Sequence, residues 1–151
     1  MSTLKDRLET DLRAAMKSRD ELVTSTLRMA LAAVRTAEVS GKQARVLSDD
    51  EVRAVLTAES KKRREAAGAF ELAGRAEQAD RERAEEKVLT GYLPAQLSDD
   101  ELSELVTQAL AGVQATGKGA MGPAMKAAQT AVAGRAEGGR VAAEVRRQLG
   151  L

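Results

Sequence analysis

Two aromatic rings in the whole chain, Phe70 and Tyr92, set the strongest limit on what this sequence can fold into. The other apolar residues are mostly Ala, Leu and Val. Side chains this small fill a core only where backbones approach closely, and packed helices achieve that. The apolar spacing agrees. Leu4, Leu8, Leu12 and Met16 recur every four residues and define a stripe on a first helix, with Ser2 or Thr3 as its N-cap. Asp20 caps a second helix carrying Val23, Leu27, Ala30, Leu31 and Val34. That helix is predicted to end near Ser40-Gly41, with the Gly closing it in the left-handed conformation.

The segment Leu47-Ser48-Asp49-Asp50-Glu51-Val52 carries a sharper signal. Ser48 and Glu51 form a capping box, and Leu47 and Val52 are spaced for a hydrophobic staple. The same pattern recurs as Leu97-Ser98-Asp99-Asp100-Glu101-Leu102, but the sequences diverge immediately afterwards. They read as two independent helix starts rather than a duplicated unit. The third helix is predicted over Asp49–Leu72 with Val52, Val55, Leu56 and Phe70 as its apolar points; Glu59 to Glu65 contains no apolar residue and is expected to be solvated. Gly74-Arg75 interrupts it, and a fourth helix covers about Glu77 to Tyr92. Pro94 disfavours helix at Leu93 and marks a boundary.

Beyond Pro94 the chain is richer in Ala and Gly. One helix starts at the second capping box, Pro123 suits the first turn of the next, Gly134 stops it, and a last helix holds Val141, Val145 and Leu149. The expectation is an all-α protein of about seven helices, with an N-terminal helical lobe over 1–94 and a smaller three-helix lobe over 95–151.

With no Cys in 151 residues, disulfides, thiolate nucleophiles and Cys-type metal sites are excluded. With no His, the usual general base and the commonest metal ligand are gone too. No apolar run approaches the length of a membrane span, and the charged start Met1-Ser2-Thr3-Leu4-Lys5-Asp6-Arg7 is unlike a signal peptide. A cytoplasmic protein without membrane contact is expected. Lys and Arg total 24 against 23 Asp and Glu, so any attraction for a polyanion must be local.

Few groupings point to chemistry. Gly117-Lys118-Gly119 beside Thr116 lacks the spacing of a phosphate-binding loop, has no strand before it, and reads as an interhelical loop. Asp49-Asp50-Glu51 and Asp99-Asp100-Glu101 sit where a helix dipole favours acids, so capping accounts for them before a hard cation does. No Ser or Thr has a base beside it other than Lys. Catalysis by the chain alone is not expected, and neither is a metal or a cofactor.

The run Lys61-Lys62-Arg63-Arg64 wraps a full helical turn, so part of it must project into solvent. Two readings stand: a solvated face balanced by Glu59 and Glu65, or an anion-binding patch. From Val106 onward, Lys118, Lys126, Arg135, Arg140, Arg146 and Arg147 outnumber Glu137 and Glu144 by four charges. If nucleic acid is bound, Lys61, Lys62, Arg63, Arg64, Lys118, Lys126, Arg135 and Arg140 are the candidate RNA contacts. Two aromatics cannot build a stacking platform, so phosphate contacts and shape readout of a structured RNA fit better than base reading.

The order of these features resembles the GatB/YqeY family. The carriers are Lys61-Lys62-Arg63-Arg64-Glu65, Phe70, Gly74-Arg75, Tyr92-Leu93-Pro94-Ala95-Gln96-Leu97-Ser98 with acids after it, Met121-Gly122 with Met125, and Gly134-Arg135-Ala136 with Val141. The likeness spans essentially the whole chain. The Tyr-Leu-Pro-x-Gln-Leu-Ser and Gly-Arg-Ala segments are its specific parts. One departure is visible: the family usually has Asp-Gly after Gly-Arg-Ala, where this chain has Glu137-Gly138 and an additional Gly139. The resemblance implies an all-α protein with a three-helix C-terminal lobe, similar to the tail of the B subunit of the tRNA-dependent amidotransferase, a domain also appended to some glutaminyl-tRNA synthetases. That tail helps to hold tRNA while Glu-tRNA(Gln) or Asp-tRNA(Asn) is amidated elsewhere. Stand-alone members carry the family's label of carbon–nitrogen ligase with glutamine as amido-N-donor. The implied role is a tRNA-binding accessory without catalysis of its own. The alternative is a docking module for an aminoacyl-tRNA synthetase or amidotransferase, using the Ala-rich helices of 124–145.

Overall fold

The computed structural model describes residues 3–113 and 117–151, with only the backbone of Gly117 and Lys118. Among the described residues the chain is all-α. Its seven helices are α1 (Leu4–Ser18), α2 (Glu21–Glu38), α3 (Asp49–Leu72), α4 (Ala76–Thr90), α5 (Asp99–Ala111), α6 (Met121–Val132) and α7 (Gly138–Leu149), with a 3₁₀ turn over Gly117–Ala120 before α6. The chain divides into two compact units, Met1–Leu93 and Pro94–Leu151.

In the first unit α1 pairs with α2 and α3 with α4, while α2 also packs on α3 and α4. Its core is aliphatic: Leu8, Leu27, Leu31, Val34, Val52, Leu56 and Leu89 are almost completely buried. Each contributes about 1.5–3 kcal/mol relative to exposure. The helix starts follow the sequence signals. Thr3, not Ser2, caps α1 in a capping box with Asp6. Ser48 and Glu51 form the predicted box at α3, and Leu47 and Val52 share the core cluster, so the staple is made.

Three local expectations are corrected. Met16 is 48% exposed, and Ala15 takes the buried place at that end of α1. A four-residue spacing advances about 40° per step on a 100° helix, so the stripe has rotated off the core by its fourth member. α2 ends at Glu38 with Val39 as C-cap, and Gly41 does not adopt the left-handed conformation. The stretch Glu59–Glu65 is not uniformly solvated: Ser60 and Arg63 are buried, continuing the Val52-Leu56 stripe towards Ala67. Left-handed backbone occurs instead at Gly74, which ends the α3 segment, and at the non-Gly residue Arg19 (φ 60°, ψ 36°) between α1 and α2. An L-residue there costs about 1 kcal/mol more than Gly.

In the second unit α6 packs on both α5 and α7, and α5 on α7. Ala124 and Ala128 are fully buried beside Val106, Val132, Val141 and Val145. These small residues bring α6 close to its neighbours, the outcome a ring-poor core requires. Pro123 lies in the first turn of α6 as predicted. Two successive left-handed residues, Ala133 (φ 51°) and Gly134 (φ 76°), then turn the chain towards α7. The N-cap of α7 is Glu137, whose side chain makes no cap hydrogen bond, so this start lacks the box used at α1, α3 and α5.

Candidate functional site

The basic run on α3 is parted by the helix. Arg63 points inward and is 5% exposed, while Lys61, Lys62 and Arg64 are exposed. Helical geometry puts Lys61 and Arg64 about 60° apart on one flank, with Lys62 about 100° from Lys61. Arg63 Nη1 donates to Glu59 Oε2 at 2.8 Å and to the Glu59 carbonyl at 3.2 Å. Its Nε lies 3.6 Å from Glu85 Oε2, an ion-pair distance and not a hydrogen bond. Nη2 reaches Met29 Sδ on α2 at 3.5 Å.

Behind this turn a polar ladder joins α3, α4 and α2. Glu85 sits between Arg63 and Arg81, accepting from Arg81 Nε at 3.1 Å. Arg81 then forks onto Glu21 at 2.8 and 3.0 Å and reaches Ser25 Oγ at 3.0 Å. Burial and the neighbouring Glu85 push the Glu82 carboxyl above its usual range, against the pull of Arg63 and Arg81. The ladder thereby fixes the α3 turn that displays the exposed cations. Lys61 pairs with Glu65 at 4.0 Å with both groups solvated, and the exposed Lys62 reaches the mostly buried Glu59 at 3.3 Å. The solvated pair is worth about 0–1 kcal/mol.

The sequence-predicted residues of the second unit do different things. Arg140 Nη2 donates to the Leu97 carbonyl and to Asp99 Oδ1, both at 2.9 Å. Arg135 donates through Nε to the Ala95 carbonyl at 3.5 Å, and its own carbonyl accepts from the Leu97 N–H at 2.8 Å. The two specific sequence segments, around residues 95–98 and 134–136, are thus held against each other, with Leu97 and Ala136 in one core cluster. Lys126 is exposed on α6. The side chain of Lys118, and all of Thr116, lie outside the described residues. The excess of four positive charges counted from Val106 does not extend to the unit as a whole. From Pro94 onward Asp99, Asp100, Glu101 and Glu104 bring the acids to six against six bases.

One cationic feature was not singled out from sequence. A cleft of 330 Å³ at the α1–α2 turn is lined by Met16, Arg19, Glu21, Thr24 and Arg28. Among the described residues Arg19 and Arg28 make no side-chain hydrogen bond or ion pair. Glu21, the carboxylate in the lining, is engaged by Arg81, whose hydrogen bonds hold it below the usual glutamate range. Asp20 was legible as the cap of the second helix, but neither the cleft nor the pairing of Glu21 leaves a trace in spacing.

These features define a class: a small all-α protein of two units, each with its own aliphatic core, whose charged groups cap, bridge and line surface clefts. The family model described as YqeY-like protein matches residues 5–149. The chain belongs to that family. No curated protein matches it. No helix among the described residues is long and apolar enough to cross a membrane.

Proposed function

We propose that this chain is a tRNA-binding accessory protein of the amidotransferase-tail type, which holds a structured RNA while another protein carries out the chemistry. The observation that carries the reading is the turn at Lys61, Lys62 and Arg64, exposed on a helix whose inward Arg63 is locked to Glu59 and Glu85. Phosphates can displace solvated partners such as Glu65 at little cost, and a braced turn loses little freedom on binding. Lys126 is a further exposed contact. Arg63, Arg135 and Arg140 support the reading by bracing rather than by touching RNA.

The test is a titration with tRNA(Gln), tRNA(Asn) and an unrelated tRNA at two salt concentrations. Affinity should fall steeply with salt, by about 0.9 log units per log unit of salt for each phosphate neutralised. Lys61→Glu/Arg64→Glu should abolish the interaction without unfolding the protein, since both side chains are exposed. Absence of binding at low salt refutes the reading. Capture of a synthetase or amidotransferase that survives RNase treatment would favour docking without RNA contact instead.

A further inference from the structure

We infer that the cleft at the α1–α2 turn is a phosphate-ester site, at which Arg19 and Arg28 hold the phosphate, Thr24 donates to it, and Met16 covers the group attached to it. Four observations on separate grounds meet there. First, the two guanidinium groups line one cleft and make no side-chain hydrogen bond or ion pair among the described residues. Arg35 and Arg75 of the first unit are also exposed without such a partner among the described residues, so what distinguishes Arg19 and Arg28 is that they share one cleft. Two guanidinium groups left together repel each other, and a dianion or a diester between them removes that repulsion while offering the forked acceptor geometry that Arg prefers.

Second, the carboxylate that would otherwise neutralise them is occupied. Glu21 accepts both of its hydrogen bonds from Arg81, and Asp20 spends its carboxylate on the Val23 N–H as N-cap. Third, Arg19 is one of two non-Gly residues in the left-handed region among those described, at a helix end where Gly is the unstrained choice. Backbone strain at an exposed charged residue points to use of the side chain. Fourth, Met16 is 48% exposed beside the two charges, a polarizable apolar surface suited to a ring or sugar attached to the phosphate. A cleft of 330 Å³ has room for a nucleoside phosphate or for one nucleotide of a strand.

The site is separate from the Lys61–Arg64 turn and does not depend on it. Its test uses the full chain and the ¹H–¹⁵N spectrum, titrated in turn with inorganic phosphate, adenosine monophosphate and a short single-stranded oligoribonucleotide. The expected result is saturable shifts at Arg19, Thr24 and Arg28 with adenosine monophosphate at millimolar concentration, and weaker shifts with phosphate alone. Tighter binding of the oligoribonucleotide would identify a strand as the source of the phosphate; equal binding would identify a free nucleotide. Arg28→Gln should weaken adenosine monophosphate by about tenfold, the loss of one charge-assisted contact. Arg19→Gly should weaken it similarly while raising the thermal midpoint, because the backbone strain goes with the side chain. Absence of saturable shifts at these three residues overturns the proposal, as does an Arg19→Gly protein that is more stable yet binds as tightly as before. Lys61→Glu/Arg64→Glu is the control: it should leave the monophosphate titration unchanged even where it abolishes tRNA binding.

Discussion

Replacing Arg63 by Met should be far more damaging than an exchange within a basic surface run would be. Arg63 is 5% exposed, and the carboxylates beside it, Glu59 and Glu85, are 13% and 12% exposed. Met keeps most of the volume of the arginine stem, so little of the effect comes from a cavity. What remains is two nearly dry carboxylates that have lost Arg63 and keep one cation each, Lys62 at 3.3 Å from Glu59 and Arg81 at 3.1 Å from Glu85. Removing one partner of a pair that leaves a buried charge uncompensated costs about 3–5 kcal/mol; with Lys62 and Arg81 still in place, the loss is set by the charged hydrogen bond to Glu59, about 1.5–3 kcal/mol. Small domains hold only about 5–15 kcal/mol in total, so the Met1–Leu93 unit should be clearly weakened. Urea unfolding followed by far-ultraviolet circular dichroism reads this directly. A slope of about 1–3 kcal/mol per molar urea turns the loss into a midpoint shift of about 1 M. The triple change Glu59→Gln/Arg63→Met/Glu85→Gln removes the stranded charges together with the cation, leaves an amide oxygen at position 85 that can still accept from Arg81, and should recover most of the loss. A single Arg63→Met protein within a few tenths of a molar of wild type would refute the reasoning, as would a triple variant less stable than the single.

Acid should weaken the fold in a defined window. Hydrogen bonds from Arg45 and the Ser48 N–H hold Glu51 at about 2, and those from Arg147 and Gln148 hold Glu144 at about 2, against an ordinary 4.5. Depressed carboxylates stabilise the folded state above 4.5 and lose that contribution as pH falls towards 2. Glu144→Gln should flatten this part of the pH–stability curve, measured as thermal midpoint, and an unchanged curve would contradict the assignment. Ser48→Ala and Ser98→Ala each remove the hydroxyl of a capping box, and each should cost about 1 kcal/mol in chemical denaturation. Tyr92→Phe deletes the 2.5 Å hydrogen bond to Asp11 while keeping the ring that Arg7 covers at 5.2 Å. It should cost about 1–2 kcal/mol, against near-neutrality if the bond contributes nothing.

The helix starts at Asp49 and Asp99 were legible to the residue because a capping box and staple are local devices, complete within six positions. The break at Gly74 was legible for the same reason. The first stripe failed at Met16 because a four-residue repeat is not commensurate with 3.6 residues per turn. Arg63 was misread because charge is a poor guide to burial once a partner waits on another helix. Glu59 could be found four residues upstream, but Glu85 is supplied by α4 and is invisible to spacing along α3. The signal that was present is the continuation of Val52 and Leu56 through Ser60, Arg63 and Ala67 at steps of three and four. The C-terminal charge excess came from counting within a helix, at Val106, instead of from the start of the unit at Pro94. Arg135 and Arg140 entered the candidate list as charges, but their observed contacts are with backbone carbonyls and Asp99 in the same unit.

The bond from the Leu97 N–H to the Arg135 carbonyl joins the start of the second unit to its last third. Leu97 belongs to its core from the N-terminal side, yet its partners in that core include Ala136, Val141 and Val145. A ribosome must therefore make the chain through Val145, and pass that segment out of the exit tunnel, before this core can close. The core of the first unit is complete once Leu89 has emerged, and its dominant pairings, α1 with α2 and α3 with α4, join neighbours in sequence. Emergence from the ribosome thus orders the two events, and the early-folding half is the one that carries the α3 turn.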